Sequence, residues 1–358
     1  MNDVHKNFMS YAIKLAKKGR GKVSPNPLVG CVIVKNGKII GEGYHKEFGK
    51  EHAEVDAFNN CIQTPEDADL YVNLEPCSIF AKTPPCIDRI IENGIKNVFI
   101  GTKDFNPLIN GGGIEKLKES KINVFNNILD KECYELNRGF FKRMISSKPW
   151  VIVKIAQSNN GYMGIDSNSS IWITGEDVKK DCHKLRSKVD GILIGKTTAE
   201  VDNPQLTVRR VNGINPIRIV VDTYRQLPLN LNLFTDNLSD NIVLCSEDKF
   251  KHSKTGNSTY LPIKEEQELL SPEDILNKLG DYGLNVILIE GGKKIISSFL
   301  NKNLVDEVYL YTSENNLENA SLDSPFELNE DWEVIKEENF EKDELLVARK
   351  KELCLQEL

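Results

Sequence analysis

Apolar and polar residues alternate with two different periods along the first part of the chain. Over 5–19 the apolar residues recur every three to four positions, which predicts an amphipathic helix. The stretch VGCVIVKNGKIIGEGY (29–44) contains two β-rich runs around Asn36-Gly37, a dipeptide typical of tight hairpins. Further helices are predicted at 52–61, 86–93 and 130–144, and further strands at 69–75 and 97–101. This alternation predicts helices packed on a mixed sheet.

A second series of elements follows the polar stretch 146–149. Its apolar runs are nearly continuous, as is typical of parallel strands buried on both faces. The predicted strands are 150–156, 191–195, 217–222, 241–246 and 285–290, and the predicted helices are 175–187, 272–279 and 293–301. Because helix is disfavoured before a proline, the stretch that ends at Pro149 is predicted to be a linker. We therefore expect an α/β chain with two domains, residues 1–146 and residues 147–358, and the acidic stretch 313–345 adds no prediction.

Composition and charge narrow the class of protein. The chain has 358 residues, of which 40% are hydrophobic and 28% charged, as in a globular protein with a sizeable core. Apolar runs of the roughly 18–20 residues that span a membrane are absent from the sequence, and so is the apolar region of a signal peptide near its start. The net charge is −7, from 46 basic and 53 acidic residues, and the basic residues at 14–22 are interpreted as the solvated face of the first helix and not as a nucleic-acid-binding stripe. We therefore expect a cytoplasmic protein with neither a membrane nor a nucleic acid as partner.

The most informative motif combines H-A-E at 52–54, P-C at 76–77 and P-P-C at 84–86. His52, Cys77 and Cys86 offer one nitrogen and two thiolates, and a catalytic zinc takes three protein ligands and keeps a fourth position for water. Glu54 lies two residues after the histidine, where a carboxylate can exchange protons with that water. This is the layout of zinc-dependent nucleobase deaminases. Their general signature is P-C-x-x-C, whereas eight residues separate the two cysteines here, so two buried cysteines and a surface histidine are the alternative interpretation.

A strand followed by two glycines and a helix occurs at 285–300, NVILIEGGKKIISSFL. Glycines allow backbone N–H groups to approach a phosphate, which the start of a helix also attracts. The dinucleotide-binding pattern G-x-G-x-x-G is absent after the predicted strands. Taken alone, two glycines after a strand more often form a tight turn than a phosphate site.

The first half resembles the deaminase half of the bifunctional riboflavin biosynthesis family RibD. The segments that carry the resemblance are SPNPLVGCVIV (24–34), GEGYHKEFGKEHAE (41–54) and LEPCSIFAKTPPC (74–86), and the long gap between the cysteines is the norm in that family. The resemblance implies a cytidine-deaminase-like fold, zinc on the three ligands above, and Glu54 as proton donor. It also implies that Asn26 meets the pyrimidine and that His45 and Lys82 lie near the substrate phosphate.

The second half is similar to the reductase half of the same family, whose fold is like that of dihydrofolate reductase. The matching segments are KPWVIVKIAQSNNG (148–161), SIWITGE (170–176), LRSKVDGILIGKTTAEVDNPQLTVR (185–209) and VVDTYRQLP (220–228). Positions matching those that bind NADPH are Ala156, Trp172, Thr198, Asp202, Gly292, Lys293, Lys294, Ile295, Ile296, Ser297 and Ser298. Positions matching those that bind the substrate are Ser170, Arg186, Leu206, Arg209 and Glu290. Guanidinium groups suit a phosphate, which they bind in a bidentate manner.

The chain departs from the family pattern in both halves. The departures are Ile79 for a histidine, Ala81 for a glycine, Phe105 for a proline, Asn160 and Asn203 for aspartates, and the loss of A-P-K-x-x-G after Tyr311. Because the zinc ligands and Glu54 are all present, we expect the metal chemistry to be retained and substrate affinity to differ.

The expectation is a bifunctional enzyme with one zinc per chain and NADPH, acting on a pyrimidine ribosyl phosphate. It would deaminate 2,5-diamino-6-(ribosylamino)-4(3H)-pyrimidinone 5′-phosphate and then reduce its ribosyl group to ribityl. Families of this type commonly assemble, so we expect a homo-oligomer. Three alternatives stay open: a deaminase of another nucleoside or of RNA, a working deaminase with a degenerate reductase, and a zinc-stabilised scaffold without catalysis.

Overall fold

The computed structural model describes residues 3–80, 84–107, 109–165 and 172–351. The chain divides into two compact units, Met1–Ser147 and Lys148–Leu358. Among the described residues, no helix combines the length and the apolar character needed to cross a membrane.

The first unit alternates helices with strands, as its apolar pattern predicts. Its α-helices are α1 (Asp3–Ala16), α2 (Ala53–Asn59), α3 (Cys86–Glu92), α4 (Gly112–Glu119) and α5 (Asp130–Ser146). Its strands are β1 (Gly30–Lys35), β2 (Lys38–Tyr44), β3 (Asp69–Leu74), β4 (Asn97–Thr102) and β5 (Asn123–Phe125). A short 3-10 turn, Lys17–Gly19, continues α1.

These strands form one mixed sheet in the order β2-β1-β3-β4-β5. β1 pairs antiparallel with β2 and with β3, whereas β3, β4 and β5 run parallel. The predicted hairpin is confirmed, because Asn36 and Gly37 join β1 to β2 with φ values of 51° and 72°. Positive φ at both central residues is the geometry that matches the twist of the two strands.

Helices cover both faces of this sheet. α2, α3 and α4 bury Ala57, Phe58, Ile90 and Leu117 against one face. α1 buries Met9, Ala12 and Leu15 on the other face, together with Cys133 of α5. The carboxyl end of β3 leads to Cys77, and the starts of α2 and α3 carry the other two predicted ligands.

The second unit has a larger sheet with helical crossovers. Its α-helices are α6 (Glu176–Arg186), α7 (Lys196–Asp202), α8 (Asn232–Thr235), α9 (Pro272–Tyr282) and α10 (Lys293–Asn301). Its strands are β6 (Trp150–Gln157), β7 (Tyr162–Gly164), β8 (Gly191–Gly195), β9 (Ile217–Val221), β10 (Asn241–Ser246), β11 (Lys254–Thr255), β12 (Ser258–Ile263), β13 (Glu265–Glu266), β14 (Leu269–Leu270), β15 (Val286–Ile289), β16 (Glu307–Ser313), β17 (Leu322–Asp323), β18 (Trp332–Asn339) and β19 (Asp343–Lys350).

The main sheet has the order β11-β12-β10-β9-β8-β15-β6-β16-β19-β18. The strands from β12 to β16 in that order run parallel, and β11, β19 and β18 add antiparallel edges. Successive residues of β6 enter the cores on opposite faces, Val151 and Val153 on one and Trp150 and Ile152 on the other. Burial of these strands on both faces is as predicted.

The structure adds elements that the pattern did not predict. α4 begins within a run of three glycines, which are poor helix formers, and α7 is only about two turns long. The stretch 313–345, which carried no prediction, contributes β18 and the start of β19 to the sheet. β18 is an edge strand rich in exposed glutamates, so it lacks the apolar alternation that marks a half-buried strand.

Candidate active sites

The three predicted metal ligands meet in the first unit. The ligand atoms of His52, Cys77 and Cys86 all lie within 4.8 Å of one another. Nδ1 of His52 is 3.2 Å from Sγ of Cys86 and 3.6 Å from Sγ of Cys77. Tetrahedral zinc with ordinary Zn–N and Zn–S bonds requires separations of about 3.6 Å, so this donor set fits zinc. The pKa of the Cys77 thiol is lowered because Cys86 and His52 hydrogen-bond to it, although burial opposes the shift.

Local backbone structure brings these ligands together. His52 is the residue before α2, Cys86 is the first residue of α3, and Cys77 follows β3. The Cys86 amide donates to Sγ of Cys77 at 3.3 Å. Gly43 in β2 allows α2 to lie close, because a Cβ there would come within 2.3 Å of the Ala57 nitrogen. The amide groups at the starts of α2 and α3 favour thiolate over thiol.

Glu54 lies beside this cluster and is only 3% exposed. Burial raises the pKa of Glu54, and the neighbouring Cys77 adds to that shift. The charge of His52 and the Cys86 thiol oppose the shift, because both favour the ionised form and so lower the pKa. A carboxyl group with a raised pKa takes up a proton more readily than an ordinary carboxylate does.

A cavity of about 380 Å³ opens onto the cluster. Both Asn26 and His45, predicted to contact substrate, line it, as do His52, Cys77 and Glu54. Nδ1 of His45 is 2.9 Å from the carbonyl oxygen of Glu51 and must donate to it, since a carbonyl only accepts. Nε2 then accepts from the Asn26 amide at 3.0 Å. His45 is 2% exposed, and burial lowers its pKa, so it is a neutral residue with both ring nitrogens engaged.

The residues of this half that depart from the family pattern have different surroundings in the structure. Ile79 lines the cavity and makes that part of its wall apolar. Phe105 packs on the aromatic cluster of α5, with ring centroids 4.9 Å from Phe141 and 5.7 Å from Tyr134. Lys82 and Ala81 lie outside the described residues.

Two carboxylates near the ligands were not predicted as site residues. Glu75 accepts hydrogen bonds from four backbone amides, those of Asp104, Gly111, Gly113 and Ile114, and so fixes the loop before α4 next to Cys77. Asp104 lines the cavity, and burial raises its pKa to about 7. The signal for Glu75 was its place before the Pro-Cys of the motif, and a single acidic residue at a strand end is too common to single out.

A second cavity, of about 580 Å³, lies in the second unit at the carboxyl ends of parallel strands. Most of the predicted cofactor and substrate positions meet there. Those that line it are Ala156, Trp172, Thr198, Asp202, Gly292, Lys293, Arg186, Leu206, Arg209 and Glu290. The Gly292 amide donates to Oγ1 of Thr198 at 3.2 Å, which joins the end of β15 to the start of α7. Trp172 is 72% exposed, and the Lys179 ammonium lies 4.3 Å from the centre of its ring.

Other predicted positions lie elsewhere. Lys294, Ile295, Ile296, Ser297 and Ser298 continue along α10 and do not line the cavity; the side chain of Ile296 is fully buried in the core. Of the predicted cofactor positions from 292 to 298, only Gly292 and Lys293, at the start of α10, therefore line the cavity. Ser170 is outside the described residues.

Arg186 and Glu290 form a buried, two-bonded ion pair in this cavity. Nε of Arg186 is 2.8 Å from one carboxylate oxygen of Glu290, and Nη2 is 2.6 Å from the other. Their side chains are 14% and 11% exposed. Burial by itself raises the pKa of Glu290, but the charge and hydrogen bonds of Arg186 bring it below its usual value. Two predicted substrate residues thus bind each other.

The departures in this half have structural roles. The Asn160 side chain accepts from the amide of Leu317 at 3.0 Å and donates to its carbonyl at 3.2 Å. Asn203, in a left-handed conformation, accepts from the amide of Asn232 at 2.7 Å and so supports the start of α8. An aspartate at position 160 would place a carboxylate against the Leu317 carbonyl, so asparagine matches this backbone.

Known proteins match both units. Residues 2–102 match the family model of the cytidine and deoxycytidylate deaminase zinc-binding region, and residues 149–313 match that of the RibD C-terminal domain. The riboflavin biosynthesis protein RibD of Aquifex aeolicus is 37% identical over 316 residues, which cover 87% of this chain and 87% of that protein. The RibD protein of Actinobacillus pleuropneumoniae is 38% identical over 309 residues, covering 85% of this chain and 82% of that protein. The chain belongs to the RibD family.

The fold agrees with that membership. The crystal structure of a diaminohydroxyphosphoribosylaminopyrimidine deaminase/5-amino-6-(5-phosphoribosylamino)uracil reductase from Thermotoga maritima superposes with a TM-score of 0.86 at 33% identity. The match covers 98% of this chain and 99% of that chain. The predicted resemblance and fold class are thereby confirmed. As a RibD protein, the chain is a bifunctional enzyme of riboflavin biosynthesis, with a zinc-binding deaminase domain and a reductase domain that uses NADPH.

Proposed function

We propose that this enzyme acts on 2,5-diamino-6-(ribosylamino)-4(3H)-pyrimidinone 5′-phosphate. In this proposal the first domain, residues 1–146, removes an amino group from the ring. The second domain, residues 147–358, reduces the ribosyl group to ribityl. The observation that carries the proposal is the joining of His52, Cys77 and Cys86 with Glu54 at one cavity. The activity named for the Thermotoga maritima relative, which matches nearly the whole chain, supports the choice of substrate.

In the first domain, His52, Cys77 and Cys86 would hold the zinc. When bound, zinc supplies a Lewis acid that lowers the pKa of a water molecule. Glu54 takes the proton of the attacking water and delivers a proton to the ring nitrogen. It then helps protonate the departing amine, so that ammonia leaves and a carbonyl remains on the ring. The buried position of Glu54 supports this role, because it raises the carboxyl pKa.

Asn26 would orient the pyrimidine in the same cavity. Because His45 uses both ring nitrogens to join Asn26 to the Glu51 carbonyl, we assign His45 the task of orienting that amide. The phosphate contact in this domain is then left to Lys82, which provides a point charge.

In the second domain, NADPH would lie along Ala156, Thr198 and Asp202 toward the start of α10. When bound, NADPH supplies the hydride that converts the ribosyl carbon to the ribityl level. The chain has to position the substrate against it and exclude water. Arg209 is the candidate for the substrate phosphate, since Arg186 is committed to Glu290. Lys154 lines the same cavity, where it could polarise the reacting carbonyl or imine.

The proposal extends to partners and location. The enzyme would take only small-molecule substrates, assemble as a homo-oligomer and reside in the cytoplasm. Light scattering of the purified chain tests the assembly, and a monomer at working concentration would contradict it.

The test of the function separates the two reactions. Zinc-loaded protein is given the diaminopyrimidinone ribosyl phosphate, and ammonia release and NADPH oxidation are followed independently. We expect ammonia release first and NADPH oxidation after it. Ammonia without NADPH oxidation would show a degenerate reductase, and the absence of both would contradict the substrate assignment.

A further inference from the structure

His183 lies in the second cavity, and the resemblance to the RibD family implies no role for it. It is on the last turn of α6, on the face that also carries Arg186, and is 4% exposed. Both residues line the cavity of the second domain, as does Arg209. His183 is therefore a buried titratable group on α6, next to the segment that carries Arg209, the candidate phosphate ligand.

The hydrogen bonds of this region determine the state of its ring. The backbone amide of Arg209 is 3.2 Å from Nδ1 of His183. A backbone N–H can only donate, so Nδ1 accepts and carries no proton. The ring is thus neutral, with its proton on Nε2. Burial and the charges of Arg186, Arg209 and Arg210 lower the pKa of His183 to about 4, against the opposing effect of Glu290, so the ring stays neutral near pH 7.

One backbone group of each residue in the segment 207–209 is held by a hydrogen bond. Nη1 of Arg186 donates to the Thr207 carbonyl at 3.3 Å, and the Val208 amide donates to Oδ1 of Asn215 at 2.8 Å. His183 accepts from the next amide, that of Arg209. The Arg209 guanidinium in turn donates to the Thr207 hydroxyl at 3.4 Å. Two residues of α6, three positions apart, therefore fix the backbone from which Arg209 extends.

We propose that His183 is a positioning residue that fixes the Arg209 backbone, so that the guanidinium meets the phosphate of the reductase substrate. The inference rests on the proposed function, because it requires a phosphorylated substrate in this cavity. The position requires an acceptor without positive charge: a cation would be repelled by the three arginines, and an apolar side chain would leave the Arg209 amide without this acceptor.

The test compares His183→Asn with His183→Leu. Oδ1 of asparagine takes the place of Nδ1 and keeps the acceptor, whereas leucine has similar bulk and no acceptor. Reduction of the deaminated substrate should show a KM raised about tenfold in His183→Leu, because a buried amide loses its partner. The kcat and the KM for NADPH should stay within about twofold, and His183→Asn should resemble the wild type. His252→Leu, at an exposed histidine outside the cavity, is the matched control.

A binding measurement separates this inference from the proposed function. Calorimetry without NADPH gives the affinity of the phosphorylated substrate and of its dephosphorylated analogue for each variant. Only the phosphorylated ligand should lose affinity in His183→Leu. Equal losses for both ligands, equal behaviour of the two variants, or unchanged binding would overturn the inference. If the wild type binds the substrate but does not reduce it, the proposed function fails while this test stands. Should the leucine variant not fold, His183→Gln, which displaces the acceptor, replaces it.

Discussion

The two catalytic regions of this chain differ in how far apart their residues lie along the sequence. The first collects His52, Glu54, Cys77 and Cys86 at the starts of two short helices and the end of one strand. The second draws on residues from Lys154 to Leu322, most of which the parallel sheet brings to one edge. A metal needs few donors within bonding distance, whereas a dinucleotide and its substrate need an extended surface. The compact site can therefore be recognised from a sequence motif. The extended site can be recognised only once the fold is known.

The two regions share one structural feature despite this difference. In each, a buried neutral histidine hydrogen-bonds to a residue proposed to contact substrate: His45 to Asn26, and His183 to Arg209. The surroundings differ, because the first cavity has a largely apolar wall that includes Ile79, while the second contains several arginines and lysines. In the first cavity, a neutral ring therefore avoids a buried charge without a counter-ion. In the second cavity, it avoids repulsion by the arginines.

Removing a metal ligand should separate the two regions most completely. In Cys86→Ser, zinc content and ammonia release should both fall to background, because two donors hold the metal poorly. NADPH oxidation with the deaminated substrate should persist. Cys61→Ser, a partly buried cysteine outside the ligand set, should keep metal and both activities. Retained zinc in Cys86→Ser, measured by atomic absorption, would contradict the ligand assignment.

Breaking the ion pair of the second region should destabilise that region alone. Arg186→Met leaves Glu290 buried without its partner, which costs about 3 kcal/mol and lowers the melting transition of the second unit by about 10 °C. Adding Glu290→Leu should recover most of the stability without recovering reduction. Ammonia release should be unchanged in both variants, as measured beside the calorimetric scans. A stability loss that the second substitution does not relieve would show that the pair is not the cause.

A smaller effect should appear in the pH dependence of stability. The pKa of His183 in the folded chain is lowered to about 4. Between that pH and the ordinary histidine pKa, the unfolded chain therefore binds a proton at this residue more readily than the folded chain does. The stabilisation is complete above about pH 6.5 and is lost as the pH falls toward 4. The stability of the wild type relative to His183→Asn should therefore decrease over that range in thermal scans. A difference that is independent of pH would show that the ring does not titrate as described.

The smallest effect concerns a departure from the family pattern. Asn160→Asp replaces an amide donor by a carboxylate facing the Leu317 carbonyl, so we expect a loss of about 1 kcal/mol with the reductase still active. Thermal scans and NADPH oxidation measure the two parts of this expectation. Unchanged stability would mean that the contact with Leu317 carries no free energy.

The sequence predicts the two α/β units and, within the described residues, seven of the ten α-helices and nine of the nineteen strands, because the apolar periods of these elements are strong. It does not predict α4, whose glycines oppose helix, or β18, whose glutamates belong to an exposed edge. Residue chemistry and order suggest the proposed metal ligands, and the family resemblance strengthens that prediction. The partnership of Arg186 with Glu290 does not, since 104 positions separate them and only the parallel sheet brings them together. His183 has no signal at all, as a lone histidine in a helix is most often structural.

The most direct test of two reactions in series uses Glu54→Gln protein loaded with zinc. We predict wild-type metal content and a fall of about 100-fold or more in ammonia release from the diaminopyrimidinone substrate. NADPH oxidation should then be lost with that substrate and retained at the wild-type rate with the deaminated one. Glu92→Gln, at an exposed glutamate of α3, serves as the control. Wild-type ammonia release from Glu54→Gln, or NADPH oxidation with the undeaminated substrate, would contradict the account.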